Sequence, residues 1–306
     1  MTLTISRYRM TYQAITPIRL PEYAGSNLRG AFGHALKSIA CLTATANRGH
    51  CACQPAESCV YRQLFDPALR IVAGAQAQHV PTPLIIEPSA GDLVIRTHEQ
   101  RHFDMVVLGQ FAHSQLPIIQ LAWQRALHDG IGSQDEQGKR GTARLLGMQL
   151  LDQPSIEIPT NPKTVHLQIT SPMRLQHYGE LVNATHLTAS ILVRAVVRRY
   201  RLMHEVYGQT HDVDLDQLQT EINQIGLQRR LRWTEWTRWS SRQKQEMQLN
   251  GLTGRVLLTD VSDALWRYLY LGQWLHAGKN SMFGLGRYQV VSEPWLEQIE
   301  PQQKTA

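Results

Sequence analysis

A chain of 306 residues is long for one hydrophobic core, so two domains of about 150 residues are the first expectation. Its 42% apolar and 7% aromatic content belongs to an ordinary folded protein, and the absence of any run of about 18 apolar residues excludes a membrane-spanning helix. The net charge of +6 is modest, but its clustering fits either a polyanionic partner, with nucleic acid foremost, or solvated helix faces.

The chain opens on LTISRYRMTYQAI, whose alternating apolar residues predict a strand rather than a signal segment, so a cytoplasmic location is expected. TPIRLPEY (16–23) follows, and NLRGAFGHALKSIA predicts a helix. All four cysteines come next, Cys41, Cys51, Cys53 and Cys59, with nine, one and five residues between them. No standard zinc pair has this spacing, and Cys51 and Cys53 strain a shared tetrahedral site, although His50 offers a further ligand. Zinc ligation by the four and reduced structural thiols both stay open, while a secreted disulfide framework is not expected. HVPTPLIIEP, DLVIRTHEQ and HFDMVVLGQ then read as strands, LAWQRALHDGIG as a helix running into glycines, and TARLLGMQL as a closing strand. That order predicts an α+β domain, an antiparallel sheet with helices on one face, compatible with a ferredoxin-like fold.

LDQPSIEIPTNPKT carries Pro154, Pro159 and Pro162 and marks the linker, dividing the chain into 1–156, 157–298 and a polar tail 299–306. Beyond it, SPMRLQHY (171–178) echoes TPIRLPEY at an offset of 155 residues, again after a strand-like run, TVHLQIT. THLTASILVRAVVRRYRLMHEVYG predicts a long helix, on which Arg194, Arg198 and Arg201 form a stripe opposite Ile191 and Val197. Six basic residues and one acid, Glu235, lie between Arg229 and Lys244. There Trp233, Trp236 and Trp239 recur every third residue among Arg232, Arg238 and Arg242. Read as one side of a helix, they are either buried or a base-stacking platform flanked by phosphate contacts. DALWRYLYLGQWLHAG predicts a helix and GRYQVV a strand, so both halves end in helix, glycine loop and strand. The repeated order predicts an internal duplication.

The glycines of HAGKNSMFGLGRYQVV invite comparison with a nucleotide-binding loop, but the order is inverted. A P-loop leads from a strand into a helix whose amides meet phosphate; here a helix precedes the glycines and a strand follows. No cofactor is expected. Gly278, Gly284 and Gly286 suit either a tight turn that packs two elements or close backbone approach to RNA, with Lys279 and Arg287 meeting phosphate.

The run HAG-KNSMF-GLG resembles the G-h-G-x5-G-h-G loop (h apolar) of the RAMP proteins of CRISPR systems, with His276 in place of the first glycine. SNLRGAFGHALK, CVYRQLFDP, SPMRLQHYGELV and RWTEWTRWSSRQKQEMQLNGLTG resemble, in order, other segments of the CRISPR-associated endoribonucleases that process precursor crRNA. The resemblance implies two tandem ferredoxin-like, RRM-like RAMP domains with antiparallel sheets. It also implies binding of CRISPR repeat RNA, with CRISPR effector or adaptation proteins as further partners, and one metal-independent cut per repeat. In such a cut the ribose 2′-OH attacks phosphorus, leaving a 5′-OH and a 2′,3′-cyclic phosphate. A base commonly found in or near the family's first helix falls on His34, and Lys37 lies on the same helix face at i+3. Lys37 or Arg29 is then the phosphate stabiliser, Tyr23 an orienting hydroxyl, and His50 the second candidate base. A non-catalytic RAMP subunit of an effector complex is the alternative that keeps the RNA.

Overall fold

The structure is a computed structural model, and it describes residues 3–41, 51–55, 58–67, 80–89, 91, 93–154, 157–208, 218–240 and 245–292. His50, Arg242 and the tail 299–306 lie outside the described residues, as do the side chains of Arg238 and Trp239.

β1 (Ile5–Ala14) shows why the first sheet has two working faces. Tyr8, Met10, Tyr12 and Ala14 are buried on one side, and Arg7, Arg9, Thr11 and Gln13 alternate with them. A short β2 (Ile18–Leu20) leads to α1 (Gly25–Ala40), α2 (Val60–Phe65), β3 (Leu84–Glu87), β4 (Leu93–Ile95) and β5 (Gln100–Leu108). α3 (Gly109–Ser114), α4 (Leu116–Asp129) and β6 (Ala143–Asp152) complete the half. The sheet order is β3-β5-β1-β6, antiparallel throughout, with β2 and β4 paired separately. α1 and α4 cover the apolar face, where the fully buried Trp123 stacks 4.8 Å from Phe32 and 4.4 Å from Phe103.

The second half repeats the scheme. β7 (Val165–Met173) precedes the small β8 (Gln176–His177) and β9 (Glu180–Leu181), then α5 (Ala189–Tyr207), α6 (Gln219–Gln224) and β10 (Gly226–Thr234). β11 (Thr237–Ser240) and β12 (Gln245–Gln248) form a ribbon before β13 (Gly251–Thr259), α7 (Asp263–Leu275) and β14 (Tyr288–Val291). Its sheet, β10-β13-β7-β14, is antiparallel too. Counted within each half, both orders are second-third-first-fourth with crossover helices, the ferredoxin-like arrangement. Thr188 and Ser262 cap α5 and α7, each accepting a backbone N–H at 3.2 Å.

The internal echo is structural as well. Thr16 Oγ1 accepts the amide of Thr142, just before β6, at 2.8 Å; Ser171 Oγ accepts the amide of Arg287, just before β14, at 2.8 Å. A Cβ on Gly132 would stand 2.4 Å from the Arg19 carbonyl, and one on Gly278 2.6 Å from the Arg174 carbonyl. Each Thr/Ser-Pro-x-Arg-Leu segment therefore docks the glycine loop and last strand of its own domain.

One expectation needs correction. Trp233 and its arginine neighbours stand on strand β10, not on a helix, and β10 pairs with β13 from Gly226 to Thr234. The three-residue recurrence of tryptophan mimics a helical stripe, but Leu227, Leu231 and Trp233 share the two-residue period of a strand. The exposed Arg229, Arg230 and Arg232 lie on the edge strand of this sheet, where charge blunts edge-to-edge pairing. Among the described residues no helix is long and apolar enough to cross a membrane.

The second face of the first sheet meets the other domain: Ile5, Ile85, Val106 and Leu108 join the core formed by α5, α7 and the second sheet. Charge is buried with them. Glu87, whose side chain has 0% exposure, accepts 2.8 and 3.0 Å hydrogen bonds from Arg7 and a 2.8 Å bond from His276 Nε2. Arg287 stands 3.5 Å away. Burial raises the Glu87 carboxyl, but the His276 bond and the Arg7 charge outweigh it and hold the group at about 2. Burial pushes the His276 imidazole below its ordinary value, with Glu87 pulling the other way. His276 sits at φ 58°, a left-handed conformation unusual outside glycine, and its buried contacts over-determine that geometry.

Two expectations about stability follow from these contacts. Gly286 has φ 70°, and a Cβ there would lie 1.8 Å from the Ala277 carbonyl, so Gly286→Ala should lose about 1–3 kcal/mol in urea unfolding. Gly147→Ala, where a Cβ meets nothing within 4 Å, should unfold like wild type. Glu87→Gln should cost about 3–5 kcal/mol, because it strands buried guanidinium charge. The sign of its pH dependence is fixed: the depressed carboxyl stabilises the fold above an unfolded pKa of about 4.3, and that contribution is lost as pH falls toward 2. Unfolding curves measured across this window should fall less steeply for Glu87→Gln than for wild type.

Candidate nucleic-acid interface

The N-terminal turn of α1 is pressed onto the glycine-rich loop of the other domain. A Cβ on Gly25 would lie 1.9 Å from the Phe283 carbonyl, so only glycine lets the helix sit there. The Gly284 carbonyl accepts 2.8 Å bonds from both the Tyr23 hydroxyl and Ser171 Oγ. Burial pushes the Tyr23 hydroxyl up to about 12, so it stays protonated as a donor. Its ring packs 4.9 Å from Trp236, which ties the turn after β10 to the same junction. Arg29 lies one turn beyond Gly25. Its guanidinium stacks 3.9 Å over Phe65, lies 5.6 Å from the Phe283 ring and donates to the Phe65 carbonyl at 2.9 Å.

The outer side of α1 differs. His34 is exposed, Lys37 is half-buried one turn on, and Gly30 is exposed one turn before. A Cβ on Gly30 would meet nothing within 4 Å. Protein packing therefore does not account for this glycine, which costs a helix interior about 1 kcal/mol relative to alanine. The absent side chain leaves a bare step on the helix surface beside His34.

The loop glycines expected to approach RNA are used differently. Gly284 and Gly286 are buried, and their missing Cβ atoms make room for the Ile86 and Ala277 carbonyls at 2.5 and 1.8 Å, as Gly278 does for Arg174. The turn that packs two elements is what the structure shows. Lys279 remains exposed at the loop tip, whereas Arg287 is held beside Glu87. Arg287 also lines an interdomain cavity of about 300 Å³, together with Arg9, His102, Asp104, Thr170 and Ser171. Of the latter five, only Ser171 stood out in the sequence, as the start of the repeated segment; Arg9 and Asp104, for example, become a pair, at 2.9 Å, only through the β1–β5 register.

The basic groups divide in the same way. On α5, Arg198 and Arg201 are exposed and Arg194 half-exposed. Arg199 turns inward to the Leu275 carbonyl at the C-terminal end of α7, and burial lowers its pKa to about 10. Exposed Arg232 donates to Thr253 at 3.2 Å, and Trp233 retains 36% exposure. The four cysteines converge: their sulfur atoms all lie within 4.8 Å of one another. Desolvation raises the Cys51 thiol above its ordinary value.

This geometry has parallels among known proteins. The profile described as CRISPR-associated endoribonuclease Cas6 matches residues 167–288, and one described as an N-terminal domain matches residues 3–176. No curated protein sequence matches the chain. Among solved structures, Thermus thermophilus Cas6 (TTHB231) superposes with a TM-score of 0.57 at 10% identity, over 95% of this chain and 100% of that one. A product complex of Cas6 (TTHA0078) gives 0.53 at 13% identity, over 94% and 100%. A partial Cas6-RT-Cas1–Cas2 complex gives 0.57 at 13% identity, over 95% of this chain and 46% of that one. At such identities the superpositions speak for the fold, and the two profiles add the sequence signal from residue 3 to residue 288. With both RAMP-type domains, the glycine loop and the helix seated on it in place, residues 167–288 carry the CRISPR-associated Cas6 endoribonuclease domain, on a fold that the whole chain shares with Cas6 structures.

Proposed function

We propose that this protein binds CRISPR repeat RNA and cuts precursor crRNA once per repeat, using the ribose 2′-OH as nucleophile. The observation that carries this reading is the outer face of α1: an exposed His34 between a bare Gly30 and Lys37, on a helix fixed against the glycine loop. RNA lying across Gly30 brings a phosphodiester beside both side chains. His34 removes the 2′-OH proton or protonates the departing 5′-oxygen, and the Lys37 ammonium offsets charge on the pentacoordinate phosphorus. The products are a 2′,3′-cyclic phosphate and a 5′-OH. Tyr23 and Arg29 take positioning roles here, since their polar atoms serve Gly284 and Phe65 and hold α1 in register with the loop. Lys279, Arg194, Arg198, Arg201 and Arg232 supply exposed or partly exposed charge along which the RNA backbone can run. Arg238 and Arg242 are assigned to the same binding group from sequence. The product and substrate-mimic complexes of Cas6 (TTHA0078) support the substrate class, and the Cas6-RT-Cas1–Cas2 assembly supports adaptation proteins as a partner class.

Cleavage of labelled cognate repeat RNA, with excess EDTA present, tests the scheme. His34→Ala should slow the cut by roughly 10²–10⁴-fold while the Kd for the repeat stays near that of wild type. Full activity in that variant would remove His34 from the mechanism; a wild-type chain that binds repeats and never cuts them would make it a non-catalytic RAMP subunit. Gly30→Leu should cover the bare step and slow cleavage without lowering the melting temperature, because a Cβ there meets no described atom within 4 Å. Unimpaired cleavage by Gly30→Leu would show that RNA approaches from elsewhere.

A further inference from the structure

The four cysteines serve nothing in the proposed cleavage, yet they are the densest cluster of metal-ligating atoms among the described residues. Cys41 follows the last residue of α1, Cys51 and Cys53 stand in one extended segment, and Cys59 precedes α2. Cys41, Cys53 and Cys59 are buried within the first domain's core, and Cys51 packs against it. Cys41 Sγ lies 3.3 Å from Cys51 Sγ and 3.7 Å from Cys53 Sγ, and Cys51 Sγ lies 3.6 Å from Cys59 Sγ.

Those separations are informative. They exceed the roughly 2.05 Å of a disulfide. Four thiolates at about 2.3 Å from one zinc ion, at the corners of a tetrahedron, stand about 3.8 Å apart. An iron–sulfur cube would hold its cysteines much farther apart, because the cluster itself occupies the space between them. Packing of apolar side chains gives no reason for four thiols to converge on one point.

We propose that Cys41, Cys51, Cys53 and Cys59 bind one structural zinc ion, which staples the C-terminal end of α1 to the start of α2. The site closes all four tetrahedral positions with protein ligands, so it leaves none for water or substrate and takes no part in catalysis. Its effect on function is positional. α2 supplies Phe65, whose ring fills the space over Gly33 and carries the Arg29 guanidinium; a Cβ on Gly33 would lie 2.1 Å from that ring. His34 stands on α1 about two turns before its C-cap, Cys41. Fixing α2 thus fixes the helix that carries the proposed base from its far end, while the glycine loop fixes it from the near end.

The experiment needs no RNA, so its outcome is independent of the cleavage proposal. The full-length protein, purified without chelator or affinity metal, is assayed by elemental mass spectrometry and by zinc release to a chromogenic chelator on mercurial titration of its thiols. One zinc per chain, released as the thiols are modified, is the expected result. Cys41→Ser/Cys59→Ser should lose that zinc, and hydrogen exchange should quicken in the last turns of α1 and in α2. Should that variant fail to fold, cobalt substitution of the wild-type protein supplies the second measurement, and thiolate-to-cobalt charge transfer with tetrahedral d–d bands is expected. Absence of stoichiometric metal together with four thiols that react freely in the native protein would overturn the proposal. So would stoichiometric iron in place of zinc, or a cobalt spectrum without thiolate ligation.

Discussion

A carboxylate with no exposed surface survives in a protein only where its hydrogen-bonding and charge requirements are met on all sides, and Glu87 meets them from two domains at once. Arg7 comes from the central strand of its own sheet, and His276 and Arg287 from the glycine loop of the other domain. Removing either set of partners leaves buried charge uncompensated, which is among the more destabilising changes available to a core. The domains are therefore not beads on a linker. Their relative placement is written into one ionic cluster, with Ile5, Ile85, Val106 and Leu108 supplying apolar contact beside it.

That constraint accounts for the departure in the glycine motif. A histidine at a left-handed position carries a conformational cost that glycine does not. In this chain the imidazole reaches Glu87 with Nε2 and approaches the Leu285 carbonyl with Nδ1, at 3.1 Å. The first residue of the turn is thereby part of the contact between the domains. The remaining loop glycines admit protein backbone, from Arg174, Ile86 and Ala277. Gly132 does the same against Arg19 in the first domain, so close packing of a glycine loop against the Arg-Leu segment is a property of the duplicated fold and precedes any role with RNA.

α1 then becomes the element on which the two purposes meet. Its inner side is committed to the core through Leu28, Phe32 and Leu36, and its first turn to the loop through Gly25. Arg29 and Tyr23, plausible catalytic groups by type, are held by Phe65 and Gly284 and keep the helix in place. Gly30 and His34 face outward, with Lys37 half-buried one turn beyond His34. A rigid helix with a small, bare, cationic outer face is a suitable platform for a phosphodiester, because proton transfer demands that donor and acceptor be placed to within fractions of an ångström.

The sequence by itself determined the order of elements in the first half, the helix, glycine loop and strand that close the second, and the duplication. Each rests on local signals: alternation in β1 and β7, helical periodicity in α1, α5 and α7, and the repeated Thr/Ser-Pro-x-Arg-Leu. Local signals failed where a strand carried arginines in place of apolar residues, as β10 does, since an edge strand exposes positions that would otherwise show its period. His34 is singled out by the resemblance of its helix to a family pattern, and the structure places it exposed on α1. Only the tertiary structure decided that Tyr23 and Arg29 serve Gly284 and Phe65. It also brought Glu87 to His276 across 189 residues, and four irregularly spaced cysteines to within 4.8 Å of one another. Ion pairs and metal ligands are selected by distance in space, and sequence spacing reports that distance only when one element supplies every partner.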